Sequence, residues 1–228
     1  MPNWCYNRIV LTSDKENIDK LDAFLKEKNG EDWFDFFLPT PSELNDVTSP
    51  NRDGNSAEQL RLKYGASDWY DWNIQNWGCK WNCSAQNVER YDENTISFTF
   101  DSPWAPPGTL YRRIADGEFG EYDVTADYLE EGMGFVGRFS DGFDDYYEYT
   151  DLESLDEIPD EIVDQWNLRE QLEDQLEWNE EEELEQLAEE FAAIEEPKGS
   201  QVNTPQGRAW LRGLLHDEEV KITFIKKD

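Results

Sequence analysis

Apolar residues in the first 150 positions follow two periods, the two-residue period of strands and the longer period of helices. The alternation in residues 8–12 predicts a strand. Ser13, followed three residues later by Glu16, has the spacing of a capping box and predicts a helix start. The next apolar positions have helical spacing: Ile18, Leu21, Phe24 and Leu25. The chain is therefore expected to open with a strand and an amphipathic helix.

The same reasoning extends to about residue 150. Clusters of Pro, Asn, Asp and Ser indicate loops, alternation of apolar and polar residues indicates strands, and proline just before an apolar segment favours a helix start. In chain order, the predictions are a loop at residues 39–55, a helix at 56–64, a strand at 96–100, a helix at 110–114, and strands at 122–128 and 134–139. This mixture predicts an α+β fold.

From residue 158 to residue 194 the apolar positions change to a spacing of three or four, which indicates helix. They form one predicted stripe: Ile158, Ile162, Trp166, Leu184, Leu187, Phe191 and Ile194. Glu and Asp surround this stripe, and Asn179 is a candidate break between two helices. We predict a domain at residues 1–150, an acidic helical region at 151–197, and a linker and tail at 198–228, the tail with a helix at 207–215 and a strand at 220–225.

The charge is large and unevenly distributed. The chain of 228 residues has 53 acidic and 20 basic side chains and a net charge of −33. Between Asp116 and Glu196 lie 31 acidic residues and only two basic ones, Arg138 and Arg169. Such a charge repels phosphate backbones and anionic lipid. Direct binding to nucleic acid or to a membrane is therefore not expected, whereas 37% hydrophobic residues and ten tryptophans suffice for a folded core.

The cysteines and the N-terminus favour the cytoplasm. No segment approaches the roughly 20 consecutive apolar residues of a membrane span, and the N-terminal residues lack the features of a signal peptide. Cys5, Cys79 and Cys83 form an odd set, which is typical of reduced thiols rather than of a disulfide framework. We expect buried structural thiols in a cytoplasmic protein.

Three separated motifs resemble a known family. They are residues 1–7 (MPNWCYN), 77–81 (WGCKW) and 100–107 (FDSPWAPP), and the similarity continues through 128–132 (YLEEG) and 135–137 (FVG). Over about residues 1–149 the chain resembles the YubB-type ferredoxin-like domain family of phage and plasmid proteins. The resemblance implies a ferredoxin-like fold and a mobile-element origin, but no reaction. Cys79 stands where such proteins often carry Thr, which argues against a required metal-binding thiol.

A second resemblance concerns the C-terminal residues. Residues 204–228, which end in VKITFIKKD, resemble the start of a WYL-like SH3-barrel domain of phage proteins. Only the first helix and strand of such a barrel would fit in these residues.

Catalytic and ligand-binding chemistry has little support in the sequence. His216 is the only histidine, so a hydrolytic triad lacks an evident base. Cys79 and Cys83 have no second pair for a closed zinc site, and no Gly-rich phosphate loop is present. The acidic cluster of Asp141, Asp144, Asp145, Glu148 and Asp151 lacks the spacing of a calcium loop. We therefore expect no enzymatic activity, no cofactor and no metal.

Five tryptophans remain to be explained, and packing is favoured over stacking against bases or sugars. They are Trp69, Trp72, Trp77, Trp81 and Trp104.

The acidic half is the strongest functional signal. Closely spaced carboxylates on a folded scaffold can imitate the phosphates of nucleic acid. The sequence favours an anti-defence inhibitor that occupies the basic cleft of a host nucleic-acid-binding protein, namely a restriction, CRISPR or recombination nuclease. The expected partner-binding residues are Asp141, Asp144, Asp145, Glu148, Glu173, Glu177, Glu180, Glu181 and Glu185.

Two alternatives remain open. The first is a non-enzymatic adaptor or oligomerisation protein that uses the apolar stripe of the acidic helix, including Leu184, Leu187 and Phe191. The second is a ligand-binding or enzymatic ferredoxin-like module centred on the tryptophan cluster. Without any binding role, the charges would form a solvated helix face that only preserves solubility.

Overall fold

The computed structural model describes residues 3–194, with side chains through residue 186. Its elements are β1 (Trp4–Ser13), α1 (Lys15–Glu27), a 3-10 helix (Trp33–Phe36), α2 (Ser42–Asn45), α3 (Gly54–Tyr64), α4 (Trp69–Asn76), β2 (Gln86–Arg90), β3 (Thr95–Pro103), α5 (Gly108–Ala115), β4 (Tyr122–Glu130), β5 (Phe135–Ser140), β6 (Phe143–Glu148), a second 3-10 helix (Ser154–Glu157), α6 (Asp160–Trp166) and α7 (Leu168–Ile194). Two compact units divide between Ile162 and Val163. The predicted tail and its WYL-like segment lie outside the described residues.

Six strands form one antiparallel sheet in the order β2-β3-β1-β4-β5-β6. The path β1-α1-β2-β3-α5-β4 has the β-α-β-β-α-β connection of ferredoxin-like folds. The hairpin of β5 and β6 extends this sheet beyond β4. The predicted α+β fold, a ferredoxin-like sheet-and-helix domain followed by an acidic helical region, is confirmed.

Alternation along β1 separates two faces of the sheet. Cys5, Asn7, Ile9 and Leu11 are buried on one face, which we call the inner face. Trp4, Tyr6 and Arg8 point to the opposite, outer face, and they are exposed. The inner face carries the hydrophobic core, because its side chains cluster with buried residues of α1, α4, α5 and the first 3-10 helix.

Aromatic rings join the helical layer to the inner face. The ring of Trp33 lies 5.1 Å from that of Phe98 and 5.0 Å from that of Phe100, in both cases close to edge-on. Phe34 packs against Trp77 with 5.1 Å between centroids. Edge-to-face geometry at these distances adds about 0.5–1.5 kcal/mol per pair to the gain from burial. The aromatic rings of the 3-10 helix therefore pack between β3 and the C-terminal end of α4.

Several local predictions are confirmed and others are wrong. The predicted strands at 8–12, 96–100, 122–128 and 134–139, and the predicted helices at 56–64 and 110–114, are all present. The strand predicted at 134–139 is shifted by one residue, and the other elements are longer than predicted. The predicted loop at 39–55 contains the short helix α2. Helix α4 and strands β2 and β6 were not predicted.

The cap of α1 differs from the predicted one. Asp14, not Ser13, is the N-cap residue, and its carboxylate accepts the backbone N–H of Asn17 at 2.8 Å. Ser13 is the last residue of β1, and its hydroxyl donates to the Glu121 carbonyl. The capping-box spacing was misleading because sheet pairing continues one residue further than the pattern indicates.

The break in the acidic helical region also differs. Asn167 has a φ of 51° and separates α6 from α7, whereas α7 continues unbroken past Asn179. Asparagine tolerates the left-handed conformation better than most residues, so it often ends helices. No helix within residues 3–194 combines the length and the apolarity that crossing a bilayer requires.

A buried polar network lies within the core. Asn7 donates to the Ser102 hydroxyl at 2.8 Å and to the Cys5 carbonyl at 2.7 Å, and it accepts the Tyr111 hydroxyl at 3.0 Å. Burial raises the pKa of Tyr111 well above its ordinary value. The phenol therefore stays neutral and donates its proton to Asn7, which connects α5 to β1.

We predict that Asn7→Ala lowers the free energy of unfolding by about 2–3 kcal/mol, because it leaves the buried Tyr111 hydroxyl without its acceptor. Urea unfolding followed by tryptophan fluorescence measures this loss. Adding Tyr111→Phe should recover part of it, since the unpaired hydroxyl is then absent. A double variant no more stable than Asn7→Ala would show that the bond between Asn7 and Tyr111 is unimportant.

Candidate functional site: acidic surfaces on β6 and α7

A tight turn creates the first acidic surface. Ser140 pairs with Phe143, which leaves Asp141 and Gly142 as a two-residue loop with φ values of 51° and 79°. Positive φ at both positions is the type I′ hairpin turn, for which Asp-Gly is a preferred sequence. This dipeptide could have predicted β6. The dense charges of residues 141–151 obscure this signal in the sequence.

Strand β6 is the edge of the sheet, and its acidic side chains point in different directions. Asp144 and Glu148 lie on the inner face, opposite Phe139 and Phe135. Asp145 lies on the outer face, opposite Arg138, and Asp141 lies in the turn. All four carboxylates are exposed. They therefore surround the strand rather than form a single flat patch.

A buried tyrosine positions Asp144. The Tyr128 hydroxyl donates to the Asp144 carboxylate at 2.7 Å, and the phenol passes over Gly137, where a side chain would overlap it. Burial and the Asp144 carboxylate raise the pKa of Tyr128 far above its ordinary value. Tyr146 similarly donates to Glu148 at 3.0 Å. These bonds restrict two of the four carboxylates before any partner binds.

Arg138 is the basic residue nearest to this surface along the sheet. Its guanidinium donates to Asp127 at 2.5 Å and to Glu161 at 3.2 Å. The hydrogen bond to Asp127 is the main reason that the pKa of Arg138 is raised. The ion pair with Glu161 connects the outer face to the segment after β6, in which Leu155 and Ile158 are buried.

Helix α7 carries the second acidic surface. Nine acidic residues and a single basic one, Arg169, lie between Leu168 and Gln186. Of the five predicted here, Glu173, Glu177, Glu181 and Glu185 are exposed and Glu180 is half-buried. At 100° per residue these five spread over about 140° of the helix circumference. They therefore share one broad side of α7.

The predicted stripe residues Ile158, Ile162 and Leu184 are buried and Trp166 is half-buried, whereas other apolar residues of α7 are exposed. Leu168, Leu172 and Leu184 are buried, but Leu176 and Trp178 are 54% and 70% exposed. The side chains of Leu187, Phe191 and Ile194 lie outside the described part of the chain. The apolar residues therefore do not form one continuous buried stripe within residues 168–186.

The tryptophan cluster is divided between core and surface. Trp72 and Trp77 are buried with 5.7 Å between their rings, and Trp69 packs at the edge of the core. Trp81 and Trp104 are partly exposed, and the Lys80 ammonium lies 4.3 Å from the Trp81 ring centre. Packing explains three of the five positions.

The cysteines are buried and free. Cys5, Cys79 and Cys83 all lie within the core region of the first unit. Burial raises the pKa of Cys5 and of Cys83 well above the ordinary thiol value, so neither is a thiolate at neutral pH. Among the described residues, no three His, Cys, Asp or Glu side chains converge in a way that could hold a metal ion. His216 lies outside the described residues.

Comparison with known proteins adds little. No protein-family model and no curated protein matches the chain. A solved structure, the protein Api92 from Yersinia pseudotuberculosis with the family model DUF1281, is similar with a TM-score of 0.38 and 14% identity, over 66% of this chain and 99% of that one. A TM-score this low carries no argument about fold or function. The YubB-type and WYL-like resemblances therefore stay predictions.

We predict that Gly137→Ala lowers the free energy of unfolding by about 1–3 kcal/mol, because the added methyl group overlaps both the Tyr128 phenol and the Asp145 carbonyl. Thermal unfolding measures the effect. Gly54→Ala is the control, since no neighbouring atom lies within 4 Å of a methyl group there. Equal stability of the two variants would contradict the close packing of Tyr128 on β5.

Proposed function

We propose that this protein is a non-enzymatic anti-defence inhibitor of phage or plasmid type. Its acidic surfaces occupy the basic cleft of a host nucleic-acid-binding protein in the cytoplasm, such as a restriction, CRISPR or recombination nuclease. The observation that carries the proposal is the series of exposed carboxylates along α7. The mobile-element resemblance of residues 1–149 supports the choice of target class.

The spacing of charge along α7 is close to that of one nucleic-acid strand. Nine acidic residues in residues 168–186 occupy about 28 Å of helix at 1.5 Å per residue, or one charge per about 3 Å. Phosphates of one DNA strand follow one another every 3.4 Å along the axis. A cleft that accommodates a single strand of phosphates would therefore meet a similar density of negative charge.

Helix stability alone does not account for this arrangement. Like charges three or four residues apart, as in Glu173–Glu177 and Glu181–Glu185, destabilise a helix by about 0.2–0.5 kcal/mol per pair. Solubility needs far less net charge than −33. A surface that accepts this internal repulsion is better explained by attraction to a basic partner.

Two physical effects would favour binding. The negative potential of the protein speeds encounter with a positive cleft by about 10–10³-fold at low salt. On β6, the hydrogen bond from Tyr128 holds Asp144 in place, so less side-chain entropy is lost on binding. The inhibition would be stoichiometric, because binding alone blocks the cleft.

The test is charge reversal on α7 with a matched control. We predict that replacing Glu177, Glu180, Glu181 and Glu185 together by Lys abolishes capture of the nuclease target from host lysate at about 0.1 M salt. Capture by the natural protein should be lost at about 0.5 M salt, because exposed charges are screened within a few ångströms there. Bound proteins are identified by mass spectrometry and assayed for DNA binding.

The control carries Lys at four exposed glutamates of the first unit: Glu27, Glu31, Glu58 and Glu121. Both variants change the net charge equally, so only the position of the charge differs. The control should still capture the target. Equal loss in both variants would mean that bulk charge, not the α7 surface, determines binding, and capture by both at high salt would exclude the electrostatic mechanism.

A second candidate function is an adaptor or oligomerisation protein that associates through α7. The supporting observation is the exposure of Leu176 and Trp178 on an otherwise charged helix. Large exposed apolar side chains close together often mark protein contacts. In this alternative the carboxylates would only keep the helix soluble.

Replacing both Leu176 and Trp178 by Gln distinguishes the inhibitor proposal from the adaptor alternative. The inhibitor proposal predicts unchanged mass in solution and unchanged target capture, since neither side chain carries charge. The adaptor alternative predicts a shift to a smaller species or loss of a partner that the charge-reversed protein still binds. Light scattering after size exclusion measures the mass.

A further inference from the structure

A groove of about 370 Å³ lies at one end of the outer face of the sheet. It is formed where the start of β1 runs beside the end of β4 and the turn that follows it. The lining residues are Asn3, Trp4, Tyr6, Leu129, Glu131 and Gly132, together with Glu130. All of them belong to the first unit.

Two aromatic side chains form its apolar wall. Trp4 and Tyr6 both point to the outer face and remain 52% and 39% exposed. Tyr6 is paired across the sheet with Leu129 on one side and with Asp101 on the other. Leu129 is buried beneath the groove. The rings therefore stand over a rigid sheet rather than on a loop.

The groove is acidic and its glutamates have different roles. The buried Glu130 accepts the backbone N–H groups of Gly132 at 3.1 Å and of Met133 at 2.5 Å, and so it fixes the turn. Glu131 is exposed at the rim. Asp101, beside Tyr6, adds a second exposed carboxylate next to the aromatic wall.

The nearest basic residue on the same strand face points elsewhere. Arg8 donates to the Tyr91 hydroxyl at 3.2 Å. The backbone N–H of Tyr91 donates to the carbonyl of Thr95, the first residue of β3. Trp4 pairs with Pro103, at the other end of that strand. The groove thus combines exposed aromatic faces and carboxylates, while the Arg8 guanidinium is held near the other end of the sheet.

We propose that this groove binds the guanidinium group of one arginine side chain of a partner protein. A guanidinium is planar and weakly hydrated, so it stacks on an indole or phenol ring while its N–H groups pair with a carboxylate. Trp4 and Tyr6 supply the stacking surface and Glu131 supplies the acceptor. An ammonium group lacks the flat face and the paired donors, so lysine should bind more weakly. The proposal does not rest on the proposed role of α7, because Trp4, Tyr6 and Glu131 all belong to the first unit.

The probe is N-acetyl-arginine methylamide, titrated into the full chain at about 0.15 M salt. The readouts are the backbone amide signals of Leu129 and Gly132 and the indole N–H signal of Trp4 in a nitrogen–proton correlation spectrum. We expect saturating shifts at these groups. Trp4→Ala and Glu131→Gln should each weaken binding about fivefold or more, as expected for loss of a cation–π contact or of a charge pair.

Two matched variants serve as controls. Trp178→Ala removes another exposed tryptophan, and Glu121→Gln removes another exposed carboxylate of the first unit. Neither should change the affinity. Because Glu131 is at the surface, Glu131→Gln tests the site without risk to folding even if Trp4→Ala proves unstable.

Four results would overturn the proposal. They are the absence of saturating shifts, equal affinity in all variants, shifts spread over the acidic surface instead of the groove, and equally tight binding of N-acetyl-lysine methylamide. The α7 charge-reversed protein should bind the arginine probe normally. Failure of this site and failure of the inhibitor proposal are therefore separate results.

Discussion

Packing of an aromatic layer on the inner face of the sheet is the constraint on which the rest of the structure depends. Trp33 is fully buried and contacts Phe98 and Phe100, while Phe34 contacts Trp77. This apolar burial must compensate both the chain entropy and the repulsion among 53 acidic side chains. Outside this layer, Trp4 and Tyr6 of the outer face and the carboxylates of the edge strand β6 stay exposed, while Leu129 and Val136 of the outer face are buried.

The arrangement of ion pairs differs between the ordinary part of the fold and its acidic surfaces. On α1, Lys15, Lys20 and Lys26 each pair with an acidic residue four positions away. Such exposed pairs contribute little to stability, because water and salt screen their attraction. In residues 168–186 the sequence offers only Arg169 for nine acidic residues. Within residues 168–186, basic side chains are therefore too few to balance the acidic ones.

The elements that the sequence predicted correctly are those whose period reflects one buried side. In α1, Ile18, Leu21 and Leu25 are buried, and in β3 the alternate residues Phe98 and Phe100 are buried. Strand β6 was missed because every residue but one is exposed, so no alternation marked it. The Asp-Gly turn that precedes β6 was the one sequence feature that indicated a hairpin.

The sites depend on contacts that no local pattern contains. The bond from Tyr128 to Asp144 requires the hairpin register, and the groove requires Tyr6 to lie beside Leu129, over a hundred residues later in the chain. Eight of the nine predicted acidic residues are exposed, and Glu180 is half-buried. Their division between the two faces of β6 could not be foreseen without knowing that β6 is a strand.

Competition between this protein and nucleic acid for the captured target tests the central claim most directly. A labelled duplex or single strand is bound to the target, and its anisotropy is followed as the acidic protein is added at several salt concentrations. The account predicts complete displacement at one protein per site, with an affinity that falls steeply as salt rises. A stable ternary complex, in which target, nucleic acid and this protein remain bound together, would contradict it.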